Sequence, residues 1–166
     1  MKRIVSIIML VTAILVGGIT ADAKTTKKNS SKGSSASVIG KFTRYGTTVN
    51  LLSNGKAQSK DKCMVGTYKK INNGSYYKVQ MYTGASSRCG DGEYTFLILG
   101  NDVYEISAGS AGVITDFTYN PNTKVVTITE IDGGPATSEE LEYIDLTSPN
   151  VSLSYFDKLG KITWVK

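Results

Sequence analysis

The chain has 166 residues, with 19 Lys plus Arg, 14 Asp plus Glu, two Cys, one Trp and no His. Without His, a Ser-His-Asp triad, a Cys-His pair, a HExxH zinc site and a His-ligated haem are all excluded. The length suits one domain built around a single sizeable core.

Read from the N-terminus, Lys2 and Arg3 precede an apolar run over residues 4–19, and Ala21-Asp22-Ala23 offers the small residues that a signal peptidase accepts. Residues 1–23 are therefore expected to be an export signal cut after Ala23. The run is shorter than the roughly 20 residues that span a bilayer, so no membrane span is expected. Residues 24–37 (KTTKKNSSKGSSAS) contain no large apolar side chain and read as a flexible basic tail. The remainder, 38–166, reads as one domain of a secreted or periplasmic protein.

From Val38 onward apolar residues alternate with polar ones, which is the two-residue period of half-buried strands. The expected strands are 39–45, 47–52, 64–71, 75–82, 93–99, 103–107, 113–119, 125–131, 141–146, 151–156 and 161–165. Short turns separate them: Asn54-Gly55, Asn72-Asn73-Gly74, Gly100-Asn101 and Asn120-Pro121-Asn122. The pieces around Gly46 and Gly66 read as bent strands or bulges, which reduces the count to eight to ten. No window holds the i, i+3, i+4, i+7 pattern over three turns. The fold class is all-β, a single antiparallel barrel or sandwich joined by hairpins.

Cys63 and Cys89 are an even pair in a chain read as exported, so a disulfide is expected, with two buried thiols as the alternative. Charge is divided along the chain. Residues 24–92 hold 13 basic and 2 acidic residues (13 − 2 = +11), whereas residues 93–166 hold 4 and 11 (4 − 11 = −7). Either the basic half presents a face to a polyanion, or basic strands pair with acidic ones within a sheet; the second is the favoured expectation.

Three segments share one pattern: Gly40-Lys41-Phe42, Gly66-Thr67-Tyr68 and Gly92-Glu93-Tyr94 each open a strand with Gly-x-aromatic. The arrangement resembles the lipocalin-like and avidin-like secreted barrels, whose first strand carries Gly-x-Trp and whose strands run up and down around a ligand cavity. The resemblance implies a lipocalin-like barrel. It departs from the family in having Phe or Tyr in place of Trp, with Trp164 near the C-terminus, and no ligand-binding residue is carried over.

Catalysis is not expected. Glu105, Asp116 and Glu130 lie in strand-like segments, but nothing sets an acid beside a base. Gly109-Ser110-Ala111-Gly112 lacks the Lys and the following helix of a phosphate loop. No cofactor, metal or nucleic-acid partner is expected. The function read from the sequence is binding of a protein or glycan through sheet surface and loops. The candidates are Tyr76, Lys78, Gln80 and Tyr82, which share one face, and Arg88 in the polar loop 83–92. Carriage of a small apolar molecule is the second reading, and it requires an open cavity lined by Tyr77, Val79, Met81, Phe96 and Ile98. Protease inhibition by Arg88 on a disulfide-pinned loop is the third.

Overall fold

Seven strands follow one another as a meander: β1 (Val38–Arg44), β2 (Thr47–Leu52), β3 (Lys56–Ser59), β4 (Met64–Ile71), β5 (Tyr76–Thr83), β6 (Glu93–Leu99) and β7 (Asp102–Glu105). In this computed structural model, residues 35–83, 89, 92–108 and 112–166 are described. The expected signal over 1–23, residues 24–34 of the expected tail, and Arg88 lie outside them. Each strand of the meander pairs antiparallel with the next. Gly46 is not a bend within a strand as expected. Tyr45 and Gly46 both have positive φ (43° and 87°) and make a two-residue hairpin turn between Arg44 and Thr47.

The chain then leaves for a second antiparallel sheet made of β8 (Ile114–Asn120), β9 (Val125–Ile131), β10 (Gly134–Pro135) and β11 (Asn150–Ser152), with β9 at its centre. One helix, α1 (Ser138–Tyr143), lies between β10 and β11. The expected strand at 141–146 is thus corrected. Thr137 and Glu140 form a reciprocal capping box, with Glu140 N–H donating to Thr137 Oγ1 (3.2 Å) and Thr137 N–H donating to the Glu140 carboxylate (3.0 Å). Leu141 and Ile144 then fall on one helical face and are buried. The expected strand at 151–156 is cut short by a 3-10 turn over Leu153–Tyr155, which buries Phe156 and leaves Tyr155 exposed.

The last segment returns to the first sheet. β12 (Asp157–Lys161) pairs with β7, and β13 (Thr163–Trp164) pairs with β1. Between them Ile162 N–H donates to Asn101 O (2.8 Å), and beyond them Val165 N–H donates to Ile39 O (2.9 Å). One bent segment therefore holds both ends of the meander and nearly closes it into a barrel, as the all-β expectation requires.

Two cores result. Inside the barrel lie Phe42, Val49, Leu51, Ala57, Met64, Val79, Met81, Phe96, Ile98, Val103 and Ile162. Outside it, the second sheet and α1 pack Phe117, Val126, Ile128, Ile131 and Leu141 against Tyr76 and Leu97 of the barrel wall. Each such large apolar side chain contributes about 1.5–3 kcal/mol when fully buried.

Two glycines permit close approaches. At Gly40 a Cβ would sit 2.8 Å from the Trp164 ring, so its absence lets the indole lie over β1. At Gly66 a Cβ would overlap the Gln80 carbonyl on the neighbouring strand. Gly66→Ala is expected to lower stability by about 2 kcal/mol or more, measured by denaturant unfolding, while Thr67→Ala on the exposed face changes it little.

Cys63 and Cys89 are bonded, with Cα atoms 5.2 Å apart and a sequence separation of 26. Replacing both by Ser is expected to cost about 3.5 kcal/mol on the chain-entropy account, read from the shift of the same unfolding midpoint.

Candidate functional site

The barrel interior is filled. Val49, Leu51, Val79, Met81, Phe96, Ile98 and Val103 all have 0% exposure, so no water-sized space adjoins them. Phe42 and Phe96 meet edge to face with centroids 5.3 Å apart across the centre. Of the five residues expected to line a cavity, only Tyr77 has surface left, at one end of the barrel. There it lies against Trp164 (5.0 Å) and Tyr68 (6.0 Å), while Lys70 Nζ stands 5.2 Å from its ring centre. Tyr68 donates to Leu52 O (2.6 Å). At the other end Arg44 reaches Glu105 through Nη2 (2.8 Å) and Nε (3.2 Å), and its guanidinium stacks on the Tyr94 ring at 3.9 Å. Aromatic rings stopper one mouth and an ion pair the other.

The expected row Tyr76, Lys78, Gln80 and Tyr82 does point away from the interior, but the second sheet covers most of it. Tyr76 is 2% exposed and its hydroxyl accepts Tyr119 N–H (3.3 Å). Lys78 pairs with Asp116, and Gln80 donates to Thr115 O. Tyr82 alone stays exposed. Alternation shows which side of a strand a residue takes; what packs on that side is decided by residues 35 to 43 positions away in sequence. Arg88 lies outside the described residues, so the inhibitor loop is not placed.

A different face is open: the outer side of β1 to β4 and β13. Cross-strand register aligns Thr163, Lys41, Asn50, Gln58, Val65 and Tyr82 in one row over six strands. At about 4.8 Å per strand step the row runs about 24 Å along the curve of the barrel wall. Two grooves lie on it. One, of about 480 Å³, is lined by Lys41, Thr43, Thr48, Asn50, Lys60 and Lys161 among others. The second, of about 370 Å³, is lined by Lys56, Gln58, Val65, Thr67 and Tyr82 among others.

Arg44–Glu105 and Lys78–Asp116 join the basic and acidic halves of the chain, but across the barrel end and between the two sheets rather than between neighbouring strands of one sheet as expected. Lys158–Asp102 is a third pair. Among the described residues, Lys41, Lys56, Lys60 and Lys161 take part in no ion pair. Exposed acids gather elsewhere, with Glu130, Asp132, Glu139, Glu142 and Asp145 on the second sheet, on α1 or beside it. Sequence reasoning counted this lysine excess but assigned it to pairing. The signal for the open face was present in the polar positions of β1 and β2, Lys41, Thr43, Thr48 and Asn50, which alternate with the buried Phe42, Val49 and Leu51.

Below the groove, the β3–β4 turn is fixed by Asp61. Its carboxylate accepts Ser59 Oγ and Cys63 N–H, and these bonds, Ser59 first, hold it below the usual carboxylate range. Among the described residues no three acidic or Cys side chains cluster as a metal site, and no helix is long and apolar enough to cross a membrane. Comparison with family models, with curated proteins and with solved structures finds no match.

The two stoppers make separate predictions. Arg44 and Glu105 side chains are 18% and 9% exposed, so Glu105→Leu alone, which strands the guanidinium, is expected to cost about 3 kcal/mol. The double change Arg44→Leu/Glu105→Leu is expected to cost clearly less, and a double-mutant cycle by chemical unfolding measures the difference.

At the aromatic end, burial pushes the Tyr68 hydroxyl above its ordinary value of 10.0, and Tyr77 adds to the shift. A raised pKa in the folded state means stability that is complete below about pH 10 and lost as pH rises through the folded value. Thermal unfolding between pH 9 and 11.5 is expected to fall less steeply for Tyr68→Phe than for the native chain.

Proposed function

We propose that the protein is an exported, non-enzymatic binding protein that recognises a protein or glycan partner with the outside of its barrel. The observation that carries this reading is the contrast between a filled interior and an open polar face. Seven interior side chains have no exposed surface, both mouths are stoppered, and the uncovered strands present grooves with unpaired lysines. A carrier of small apolar molecules depends on an enclosed apolar space of a few hundred Å³. A barrel of about eight strands is just wide enough for its own side chains to fill it; here the nine-stranded sheet, two of whose strands are short parts of one bent segment, packs Phe42, Phe96 and Met81 in its core.

Export is part of the proposal and rests on the N-terminal pattern of residues 1–23 together with the Cys63–Cys89 bond, which suits an oxidising compartment. The resemblance to lipocalin-like barrels likewise remains a proposal, resting on up-and-down strand order; the partner-binding side is argued from this chain's own surface.

A photo-crosslinking amino acid placed at Gln58 on the open face, and separately at Thr129 on the second sheet, tests the reading in the native host. A macromolecular adduct from position 58 and none from position 129 is the expected outcome. Absence of any adduct at position 58, with a stoichiometric apolar molecule recovered on denaturing extraction, would overturn it.

A further inference from the structure

The open face resolves into a chemistry that narrows the partner. Its charged side chains within the grooves are Lys41, Lys56, Lys60 and Lys161, all exposed, with Asp61 at the margin already engaged by Ser59 and Cys63. Between the lysines stand Thr43, Thr48, Asn50, Gln58 and Thr163, each able to donate and accept hydrogen bonds. Accessible apolar side chains in the grooves are Leu52, Val65 and the ring of Tyr82 at the far end of the row; Phe42 and Ala57 also contribute to the lining but are buried in the barrel core.

This composition is the opposite of a protein-binding core. Such cores are depleted in Lys and are anchored by aromatic side chains and Arg in desolvated pockets. The row Thr163, Lys41, Asn50, Gln58, Val65 and Tyr82 holds no Trp, Phe or Arg. Single-stranded nucleic acid is also poorly matched, since it is held by successive stacking rings as well as charge. Hydroxyl-rich, negatively charged chains fit both features. Thr, Asn and Gln match sugar hydroxyls, lysines match their acidic groups, and the row gives an extended polymer a track of about 24 Å.

We infer that the row from Thr163 to Tyr82 is a binding trough for a linear anionic glycan, whose carboxylate or sulfate groups are held by Lys41, Lys60 and Lys161. The inference rests on the surface-recognition reading and names the partner for it. Lys41 and Lys161 enter from adjoining segments, β1 and the end of β12, because closure of the barrel sets Thr163 opposite Lys41. Lys60 is set at the same groove by its backbone N–H bond to Thr48 O (2.8 Å). The acids on the second sheet and α1 favour one orientation of approach, attracting a polyanion to the lysine side and repelling it from the other.

The test is titration of the full mature chain with polygalacturonate (carboxylated), dextran sulfate (sulfated), neutral dextran, poly-glutamate and a single-stranded oligonucleotide, at two salt concentrations. The variants are Lys41→Gln/Lys60→Gln/Lys161→Gln and, as a charge-matched control that lines neither groove, Lys70→Gln/Lys124→Gln/Lys158→Gln. One or both anionic glycans are expected to bind with a salt-dependent affinity that the trough variant weakens about tenfold and the control variant weakens far less. Which of the two glycans binds identifies the acidic group.

Equal weakening by both variants, or equal binding of poly-glutamate or the oligonucleotide, would overturn the trough and leave only a general attraction of charge. No glycan binding together with an adduct from position 58 would also overturn the trough while preserving surface recognition. Loss of both would remove the two readings together. Unchanged near-ultraviolet circular dichroism of the trough variant confirms that weakened binding is not unfolding.

Discussion

Everything in this fold depends on one segment serving as both edges of a sheet. Residues 157–161 complete the ladder on β7, residues 163–164 complete it on β1, and Ile162 turns inward between them. A meander left open would expose two rows of unpaired N–H and C=O groups, an invitation to pair with other chains. Closing it with the last residues removes most of that hazard and fixes the curvature of the wall. Curvature in turn brings opposite strands close enough for Phe42 to reach Phe96 and for Arg44 to reach Glu105. It also makes Gly40 and Gly66 necessary, because at those points a neighbouring ring or carbonyl occupies the place of a side chain.

The second sheet follows from the same closure. The detour between β7 and β12 supplies an amphipathic layer whose apolar side needs a partner, and the outer wall of β5 to β7 provides it through Tyr76, Leu97 and Tyr104. One half of the barrel is therefore buried twice, inside and out, and the other half meets water. The acidic residues of the detour leave with it, so the charge asymmetry of the sequence becomes an asymmetry of the surface. Lys78 and Arg44 are drawn into pairs. Lys41, Lys56 and Lys60, on or beside strands that the detour does not reach, are left facing solvent together with Lys161.

Much of this was legible in the sequence where local periodicity dominates. The ranges 47–52, 64–71, 93–99 and 125–131 agree with the observed strands to the residue, because Val49 and Leu51 mark a buried side and Phe96 to Leu99 form an apolar run that ends at Gly100. β3 escaped notice because Lys56-Ala57-Gln58-Ser59 buries only an Ala and a hydrogen-bonded Ser, and its strand character comes from its two neighbours. The helix at Ser138–Tyr143 carries a signal in Thr137 and Glu140, three residues apart, that the reading of 141–146 as a strand did not use. The site was harder to read. Tyr76, Lys78 and Gln80 had the right orientation and the wrong exposure, since coverage by β8 is a tertiary event. The lysine face needed both the register of β1 to β3 and the knowledge that the second sheet does not pack there.

The central claim is that this nearly closed barrel is filled and used from the outside. Titration of the purified chain with a fluorescent apolar probe such as N-phenylnaphthylamine tests it most directly. The account predicts no saturable binding to the native protein. A one-to-one complex of micromolar affinity, displaced by long-chain fatty acids, would contradict it.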